Sequence, residues 1–325
     1  MFISVKSILT TLILIVFLPF ITGAQKSERF ESNNKFGIKD AAGKIIVAAK
    51  YDNIILHEAA KGWVAIVNNG AKIGEYSSRY GGKYGVIDAS GKLIIAEKYD
   101  FIQILGDGLF GVSTGGEQPD GDMYSGGKWG LVDMEGKLIV PVGYDRIWPF
   151  DFGFARVVKA GKHGFINRKG KVVVPIKYDN VFPFEEVGIA CVELNEMQGY
   201  VDSTGKTVIP LVYEKISFYE SDNLFAANKA GKWGFVNMKN ETVIPFRYDD
   251  HKGISEGLIA VNVGAKYASP DEMYPTGGKW GYIDLKGKEV IPVQLDNAFG
   301  FRGGKADVVK DGKKLKIDRT GVEVK

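Results

Sequence analysis

The chain is poor in cysteine, histidine and long hydrophobic runs, and it has no strong excess of charge of either sign. Cys191 is its only cysteine, which excludes an intramolecular disulfide, and its three histidines lie far apart without metal-ligand spacing. The 42 basic and 39 acidic residues leave a formal net charge of +3, so composition predicts no strong attraction to nucleic acid or to anionic membranes. A hydrophobic content of 45% is typical of a globular protein and argues against disorder.

One hydrophobic run stands out, close to the first residue. Lys6 gives a basic start, Ile8–Ile21 is almost unbroken apolar sequence, and Thr22–Ala24 supplies small residues for a cleavage site. The run is short against the roughly 20 residues that a membrane span needs, which favours a secretory signal peptide at residues 1–24 over a retained anchor. No cysteine lies near the cut and no second hydrophobic segment follows. The mature chain, residues 25–325, is therefore predicted to be secreted and soluble.

A motif of the form Lys-Trp-Gly-Phe-Ile-Asp-x-x-Gly-Lys-x-Val-Ile-Pro-x-x-Tyr-Asp returns seven times. The copies start near residues 35, 83, 128, 162, 197, 232 and 279, and a truncated eighth copy occupies residues 313–325. The basic period is 34–35 residues, and three units carry inserts of about 11–14 residues. Self-similarity at a fixed period predicts a tandem repeat architecture over residues 25–325.

Within one unit we predict three short strands. In the fourth copy they are Phe154–Lys159, Lys162–Asn167 and Lys171–Pro175, joined by turns that contain glycine. In the Asp/Asn-x-x-Gly turn, the Asx side chain accepts hydrogen bonds from backbone further along and glycine takes the positive-φ position. The motif proline is expected to end the third strand, where a missing N–H costs little. The repeated Asp and Lys residues are interpreted as solvated turn charges.

Two columns of the repeat are predicted to form the core between units. A small residue recurs in the first strand, and an aromatic residue precedes the motif glycine, whose bare Cα lets backbone or a ring pack over it. The Trp-Gly pair is thus interpreted as part of the fold, with a ligand-lining role for some rings as the alternative. The columns are Ala65, Gly111, Ala155, Ala190, Ala226, Ala260 and Ala306, and Phe36, Tyr84, Trp129, His163, Gln198, Trp233 and Trp280. Cys191, in an apolar strand pattern, is assigned a packing role.

These recurring residues resemble the WG, or KWG, β-repeat family of bacterial proteins over essentially Lys35–Lys325. The resemblance implies a repeat architecture, often behind a secretion signal, and a binding role, and it supplies no catalytic residues to transfer. His163 and Gln198 depart from the aromatic position and Asn240 departs from the turn glycine, so their units are expected to be less regular. The hairpin phrase is also similar, more weakly, to choline-binding and toxin cell-wall-binding repeats.

The predicted fold is all-β, with tandem antiparallel hairpin or meander repeats in an open, superhelical, solenoid-like array. A closed β-propeller-like ring is the alternative, although propeller blades usually hold four strands in about 40–50 residues. A ring also commonly shares one blade between its two ends. Here Arg29–Glu31 and Ala306–Lys310 are predicted to supply strands of the same unit type, which favours the open array.

The three inserts are the candidate partner-binding elements, because inserts in repeat proteins map to loops on one face that is often the binding face. They share a Tyr/Gly-rich end and carry acidic residues. The alternative interpretation is that they are longer hairpins that shield the array. The candidate residues are Tyr80, Asp120, Asp122, Tyr124, Asp271, Glu272 and Tyr274.

Motifs for catalysis, metals and cofactors are missing from the sequence. It has no Gly-x-Ser-x-Gly elbow, no phosphate loop and no calcium loop around Asp120–Asp122. We therefore predict a non-enzymatic, cofactor-free, secreted scaffold for protein–protein interaction at the bacterial envelope. A cell-wall or polysaccharide-binding module is the alternative, and a glycan-active enzyme assembled across repeats is the third hypothesis. Periplasm, cell surface and medium are left open.

Overall fold

The computed structural model describes residues 27–59, 62–74, 79–117, 124–266 and 276–324, and β-strands dominate these residues. The strands, numbered in chain order, form eight consecutive antiparallel sheets and one two-stranded ribbon. Within the described part of the chain the only helical element is a 3₁₀ turn at Glu220–Asp222. No helix in these ranges is long and apolar enough to cross a lipid bilayer.

The first four sheets run from the amino-terminal side of the array. Sheet 1 contains β1 (Glu28–Ser32), β2 (Lys35–Lys39) and β3 (Ile45–Tyr51). Sheet 2 contains β4 (Asn53–Ala59), β5 (Gly62–Asn69), β8 (Lys83–Asp88) and β9 (Leu93–Tyr99), and the ribbon is β6 (Lys72–Ile73) with β7 (Arg79–Tyr80). Sheet 3 contains β10 (Phe101–Gly106), β11 (Leu109–Glu117), β12 (Ser125–Asp133) and β13 (Leu138–Tyr144). Sheet 4 contains β14 (Arg146–Ile147), β15 (Phe154–Lys159), β16 (Lys162–Asn167) and β17 (Val172–Tyr178).

The last four sheets follow in the same strand order. Sheet 5 contains β18 (Asn180–Phe184), β19 (Ile189–Leu194), β20 (Met197–Asp202) and β21 (Thr207–Tyr213). Sheet 6 contains β22 (Lys215–Tyr219), β23 (Leu224–Lys229), β24 (Lys232–Asn237) and β25 (Thr242–Tyr248). Sheet 7 contains β26 (Asp250–Ser255), β27 (Leu258–Lys266), β28 (Thr276–Asp284) and β29 (Glu289–Leu295). Sheet 8 contains β30 (Asn297–Ala298), β31 (Lys305–Lys310) and β32 (Lys313–Asp318).

The complete unit has four strands, whereas the sequence predicts three. The segment after the motif Tyr-Asp, which the three predicted strands leave out, pairs as the first strand of the next sheet, as β14 does with β15. The prediction that the motif proline ends its strand is also wrong, because β17 continues through Pro175 to Tyr178. Since β17 is the edge strand of sheet 4, the missing proline N–H removes no bond that an inner strand would need.

The motif glycine lies where this edge strand crosses closely over its neighbour. In sheet 4, Phe165 pairs with Val174 but His163 pairs with Tyr178, so β17 bulges opposite Gly164. A Cβ added to Gly164 would lie 2.6 Å from the Val174 carbonyl oxygen. The same carbonyl, ten residues ahead, would lie 2.5–2.7 Å from a Cβ in the other complete copies, at Gly37, Gly85, Gly130, Gly199, Gly234 and Gly281. The prediction that glycine admits backbone packing over its Cα is confirmed.

The Asx turn forms as predicted in every copy. Asp133 is typical: its side chain accepts the N–H of Glu135 at 3.1 Å and that of Lys137 at 2.8 Å, and Gly136 closes the turn at φ 80°. Asn240 takes the glycine position of the sixth copy at φ 60°, which asparagine tolerates better than most residues. The same turn residues are Asp40, Asp88, Asn167, Asp202, Asn237, Asp284 and Asp318.

The core lies between successive sheets. One buried cluster combines Ile38 and Tyr51 of sheet 1 with Ala65 and Ile87 of sheet 2, and the same alternation continues to sheet 8. The small column is buried throughout, so the predicted close contact between units is confirmed. The extensive contacts between sheets join chain neighbours, and among the described residues no sheet draws strands from both ends. These features confirm the all-β repeat array. The sheet shared between the two ends, which is expected of a ring, is not found among the described residues.

The units of His163, Gln198 and Asn240 are as regular as the others, contrary to expectation. Gln198 pairs with Tyr213 across the same bulge that the Trp-containing copies show. Its amide replaces the ring by hydrogen bonding, donating to Glu193 at 3.0 Å and accepting the Ile216 N–H at 3.0 Å. Backbone pairing, rather than the ring, therefore sets the geometry of the unit.

Candidate functional site

The first Lys and the last Asp of the motif form an ion pair in six of the seven copies. Lys35 donates to Asp52 at 2.6 Å and Lys279 donates to Asp296 at 2.5 Å, over a sequence separation of 17. The motif Lys and Asp are therefore partners, which corrects the interpretation of these charges as solvated turn residues. The other pairs are Lys83–Asp100, Lys128–Asp145, Lys162–Asp179 and Lys232–Asp249. In the fifth copy Met197 and Glu214 occupy the two positions.

The second oxygen of each motif Asp reaches the next sheet. Asp52 accepts the Gly70 N–H at 2.7 Å, and Asp249 accepts the Gly264 N–H at 2.7 Å. Each acceptor thus joins the Lys of one sheet to the central hairpin of the following sheet. We call this arrangement the inter-sheet clip. It links the central hairpins of sheets 2, 3, 4, 5, 7 and 8 to the preceding sheet, including the three hairpins that carry inserts.

In three of the clips, the hydrogen bond from the lysine lowers the pKa of the carboxyl group. The hydrogen bond from Lys128 lowers the pKa of Asp145 below its usual value, and the bonds from Lys162 and Lys279 do the same for Asp179 and Asp296. A hydrogen-bond donor and a nearby positive charge both favour the ionised form. These carboxylates therefore remain charged at neutral pH and serve as fixed acceptors.

The inserts are extensions of the central hairpin, as the alternative interpretation predicted. In sheet 3 the pairing continues to Glu117 with Ser125, and in sheet 7 it continues to Lys266 with Thr276. In sheet 2 the extension is the ribbon β6–β7, where Lys72 pairs with Tyr80. Plain units close the same hairpin with two residues at positive φ, such as Ala160 and Gly161.

Tyr80 and Tyr124 line one groove between the inserts of sheets 2 and 3. This insert groove is open to solvent and has a volume of about 640 Å³. Its other polar and charged side chains, together with several glycines, are those of Asn69, Lys72, Lys83, Asp100 and Glu117. Two candidate residues from different inserts are thus brought together.

Tyr124 is held in place by residues of β10, β11 and β12 of sheet 3. Its ring stacks on Phe101 with centroids 4.9 Å apart and meets Trp129 edge-on at 5.9 Å. Its hydroxyl forms a 2.9 Å hydrogen bond with Ser113, whose own hydroxyl donates to the Lys128 carbonyl. Tyr124 therefore builds the wall of the groove, and Tyr80 on the short ribbon is the less constrained of the two.

The remaining candidates, Asp120, Asp122, Asp271, Glu272 and Tyr274, lie outside the described residues, as does the predicted signal peptide. The insert that contains the last three belongs to sheet 7. Its described base, at Lys266 and Thr276, is separated from the insert groove by sheets 4 to 6 in the order of the array.

The charges of the insert groove are partly paired. Asp100 accepts hydrogen bonds from Lys83 and from the Gly115 N–H. Partial burial alone would raise its pKa, but these two bonds outweigh that effect and lower it. Lys72 and Glu117 are exposed, and within the described ranges neither forms an ion pair. Among the described residues, the groove thus combines one fixed anion, Asp100, with a lysine and a glutamate, Lys72 and Glu117, that have no ion-pair partner.

Buried polar residues that support the inserts were missed by the sequence reasoning. Asn68 donates to the Gly81 carbonyl at 3.0 Å, and Asn262 donates to Gly277 at 3.2 Å while accepting the Ala265 N–H at 3.1 Å. Each could have been found in the sequence as a polar residue at an inward-facing position of an otherwise apolar strand. A buried amide needs such partners, so it fixes the base of the hairpin.

Cys191 and His251 are enclosed in the core. Cys191 is buried, and burial raises the pKa of its thiol to about 12, which confirms its packing role. His251 is enclosed by aromatic rings, and burial lowers its pKa to about 4. The described residues contain no group of three or more potential metal-ligating His, Cys, Asp or Glu side chains.

Tandem antiparallel sheets joined by inter-sheet clips define a β-repeat protein. Six segments also match the family described as WG containing repeat, at residues 84–117, 129–162, 164–197, 199–233, 233–267 and 280–313. These segments cover more than half of the chain, and the chain belongs to this family. The copy at Lys35–Asp52 lies outside the matched segments but shows the same glycine crossing and clip.

No curated protein matches the chain. Among solved structures, a eukaryotic initiation factor is 11% identical, with 92% of this chain and 84% of that chain covered and a TM-score of 0.37. Dihydro-heme d1 dehydrogenase NirN is 10% identical, with 92% and 72% covered and a TM-score of 0.32. A protein of unknown function from Bacteroides caccae is 14% identical, with 70% and 92% covered and a TM-score of 0.23. Likeness at these TM-scores carries no conclusion about function.

Proposed function

We propose that the protein is a secreted, non-enzymatic repeat scaffold that mediates protein–protein interaction at the bacterial envelope, with the insert groove as a partner site. The observation that carries this proposal is the convergence of two inserts, from successive sheets, on one open groove. A rigid stack of sheets that displays longer hairpins is a common design for recognition surfaces. The apolar leader at residues 1–24 supports secretion.

The chemistry of the groove supports binding rather than catalysis. Its central carboxylate, Asp100, has a lowered pKa and is held by Lys83, so it is a weak base at neutral pH. Tyr124 has its hydroxyl bonded to Ser113 and its ring packed between two others. These groups provide shape and fixed charge, which are the properties of an interface.

The test is capture of partners from the envelope fraction by the mature chain. A Tyr80→Ala, Glu117→Lys double variant is expected to lose at least about tenfold in affinity for a captured partner, since central tyrosines often dominate binding energy. The matched control is Glu186→Lys with Val187→Ala, at an exposed turn of sheet 5. Equal capture by the wild type and the groove variant would contradict the assignment of the groove.

A cell-wall or polysaccharide-binding module is the second candidate function. The Tyr80 ring and the glycine-rich backbone of the groove favour it, because an aromatic face and hydrogen-bonding groups together suit sugar rings. A glycan array and sedimentation with insoluble cell wall separate the candidates. Glycan binding that falls in Tyr80→Ala, without any protein captured from the envelope, would select the second function.

A further inference from the structure

A second groove lies at the opposite end of sheets 2 and 3. We call it the turn groove; its volume is about 870 Å³. In sheet 2 it is bordered by the last residues of β4, the first residues of β5 and the last residue of β8. In sheet 3 it is bordered by the β10–β11 and β12–β13 turns. The insert groove opens at the other end, beside the β5–β8 extension. Antiparallel strands place alternate turns at opposite ends, so the two grooves belong to different faces of the array.

The floor of the turn groove is apolar. Phe110, Leu109 and Val64 are buried beneath it, and Met134 and Trp63 are only partly covered. The indole N–H of Trp63 donates to the Ser27 hydroxyl at 2.8 Å, which fixes the plane of the ring. A partly covered tryptophan beside a flexible methionine offers an apolar contact for a side chain of a partner.

Among the described residues, the charged side chains that line the turn groove are all carboxylates. Asp107 is paired with Arg168 at 2.6 Å, and one oxygen of Asp88 is used by its own turn. Glu58 and Glu135 are exposed, and neither forms an ion pair with another described residue. The described part of the rim therefore carries two glutamates without an ion-pair partner, Glu58 and Glu135, around an apolar floor.

We propose that the turn groove docks a basic segment of a partner protein, placing an apolar side chain against Trp63 and Met134 and Lys or Arg beside Glu58 and Glu135. Charge complementarity selects this occupant, because acidic or neutral segments leave the two glutamates without partners. An arginine gains further from the indole face, through a cation–π contact. This surface is separate from the insert groove, so either one can fail without the other.

The test is selection from a phage library of short random peptides on the immobilised mature chain. Selected peptides are expected to be enriched in Lys or Arg next to an apolar residue. Their affinity, measured by fluorescence anisotropy, is expected to fall about tenfold in Glu58→Gln, Glu135→Gln, and to weaken with salt in the wild type more than in the variant. The control is Glu186→Gln with Glu289→Gln, two exposed carboxylates on sheets 5 and 7.

Three results would overturn the proposal. The first is enrichment of acidic or purely apolar peptides. The second is unchanged affinity in the Glu58, Glu135 variant with a fold shown intact by circular dichroism. The third is that the wild type binds no peptide and the Glu58→Lys, Glu135→Lys variant changes its sedimentation coefficient. In that case the occupant of the groove would be a second copy of the chain. Capture through the insert groove is unaffected by these variants, so the two proposals are tested separately.

Discussion

At the scale of single residues, the Trp-Gly pair is explained by the glycine rather than by the ring. Gln198 and His163 replace the aromatic residue without loss of register. The glycine is present wherever an edge-strand carbonyl crosses over it. In the eighth copy Leu315 takes this slot, and β32 is there the edge strand of sheet 8 as described. After β32 the described residues form one isolated bridge, between Ile317 and Glu323.

Gly164→Ala is predicted to destabilise the protein by about 1–3 kcal/mol, the usual range for overpacking. The new methyl group would meet two backbone atoms, the Val174 oxygen at 2.6 Å and the Ile176 Cα at 2.9 Å, and backbone gives way less readily than a flexible side chain. Urea unfolding measures the change. Gly143→Ala is the control, because a Cβ at Gly143 has only one neighbour, at 3.9 Å. Equal unfolding midpoints for the two variants would contradict the crossing-strand explanation.

His251 is predicted to make stability fall as the pH drops from about 6.5 to 4. Burial lowers its pKa to about 4, and its Nδ1 accepts the Gly253 N–H at 3.2 Å, which requires an unprotonated nitrogen. The unfolded chain takes up the proton first, at the ordinary histidine pKa of 6.5. Stability is therefore complete above pH 6.5, and about 3 kcal/mol is lost on acidification to pH 4.

Comparison of the wild type with His251→Asn isolates this contribution. The asparagine oxygen preserves the acceptor for Gly253 but does not titrate in this range. Urea unfolding between pH 7.5 and 4.5 is expected to show a steeper decline for the wild type, and His57→Asn serves as the control. Parallel declines in wild type and His251→Asn would refute the prediction.

At the scale of elements, the inter-sheet clip couples consecutive sheets through one carboxylate. The clip was not predicted, because its Lys and Asp are 17 residues apart and its third partner lies in the next unit. The pattern showed where the charges recur, but a repeat alone does not reveal which charges meet.

Asp145→Asn is predicted to weaken the junction of sheets 3 and 4 at neutral pH by less than about 1 kcal/mol, as expected of an exposed pair. The bond from Lys128 lowers the pKa of Asp145. The contribution is therefore present above the unfolded pKa and is lost as the pH falls through the lower folded value. Thermal unfolding at pH 7 and at pH 2 measures it: the difference between wild type and Asp145→Asn should vanish at the lower pH. A constant difference would show that the charge is not involved.

The sequence predicted the elements whose causes are local. The Asx turns, the two-residue hairpins and the Lys162–Asn167 strand follow from residues that are adjacent in the chain. The prediction ended the third strand at Pro175 and assigned no strand to the segment that follows the motif, so the fourth strand was missed. Pro175 fits inside β17 because β17 is an edge strand, where the missing N–H is not needed for pairing. Tyr80 and Tyr124 were named from their shared pattern, and their common groove required the contact between sheets.

The turn groove was not predicted. Trp63, Phe110 and Met134 belong to three different strand-and-turn segments of two sheets, and none departs from the hydrophobic pattern of its segment. Their meeting depends on how sheets 2 and 3 stack, which a single sequence does not report.

At the scale of the whole molecule, sheets contact mainly their neighbours in the chain, so stability is expected to add up unit by unit. Deletion of residues 162–196 removes one period and joins β14 and β15 to β20 and β21 in a hybrid sheet. The shortened chain is predicted to fold, with a urea m-value lower by about a tenth, because less surface is exposed on unfolding. In the control, residues 162–196 are replaced by a scrambled segment of the same length, which should prevent folding of the sheets at this position. Loss of cooperative folding on clean deletion would indicate closure between the ends.

The inter-sheet clip has a further consequence, for protein engineering. Because the first and last positions of the motif keep one spacing in all seven units, length can change only where the clip does not span, and the inserts occur in the central hairpin. Five such hairpins still close with two residues at positive φ: Asn33–Asn34, Ala160–Gly161, Asn195–Glu196, Ala230–Gly231 and Asp311–Gly312. These short hairpins lie along one edge of the array and are sites at which longer loops can be inserted. Loops from other proteins, grafted onto these hairpins in any combination, would be displayed side by side. The distance between the loops would be set by the stacking of the sheets.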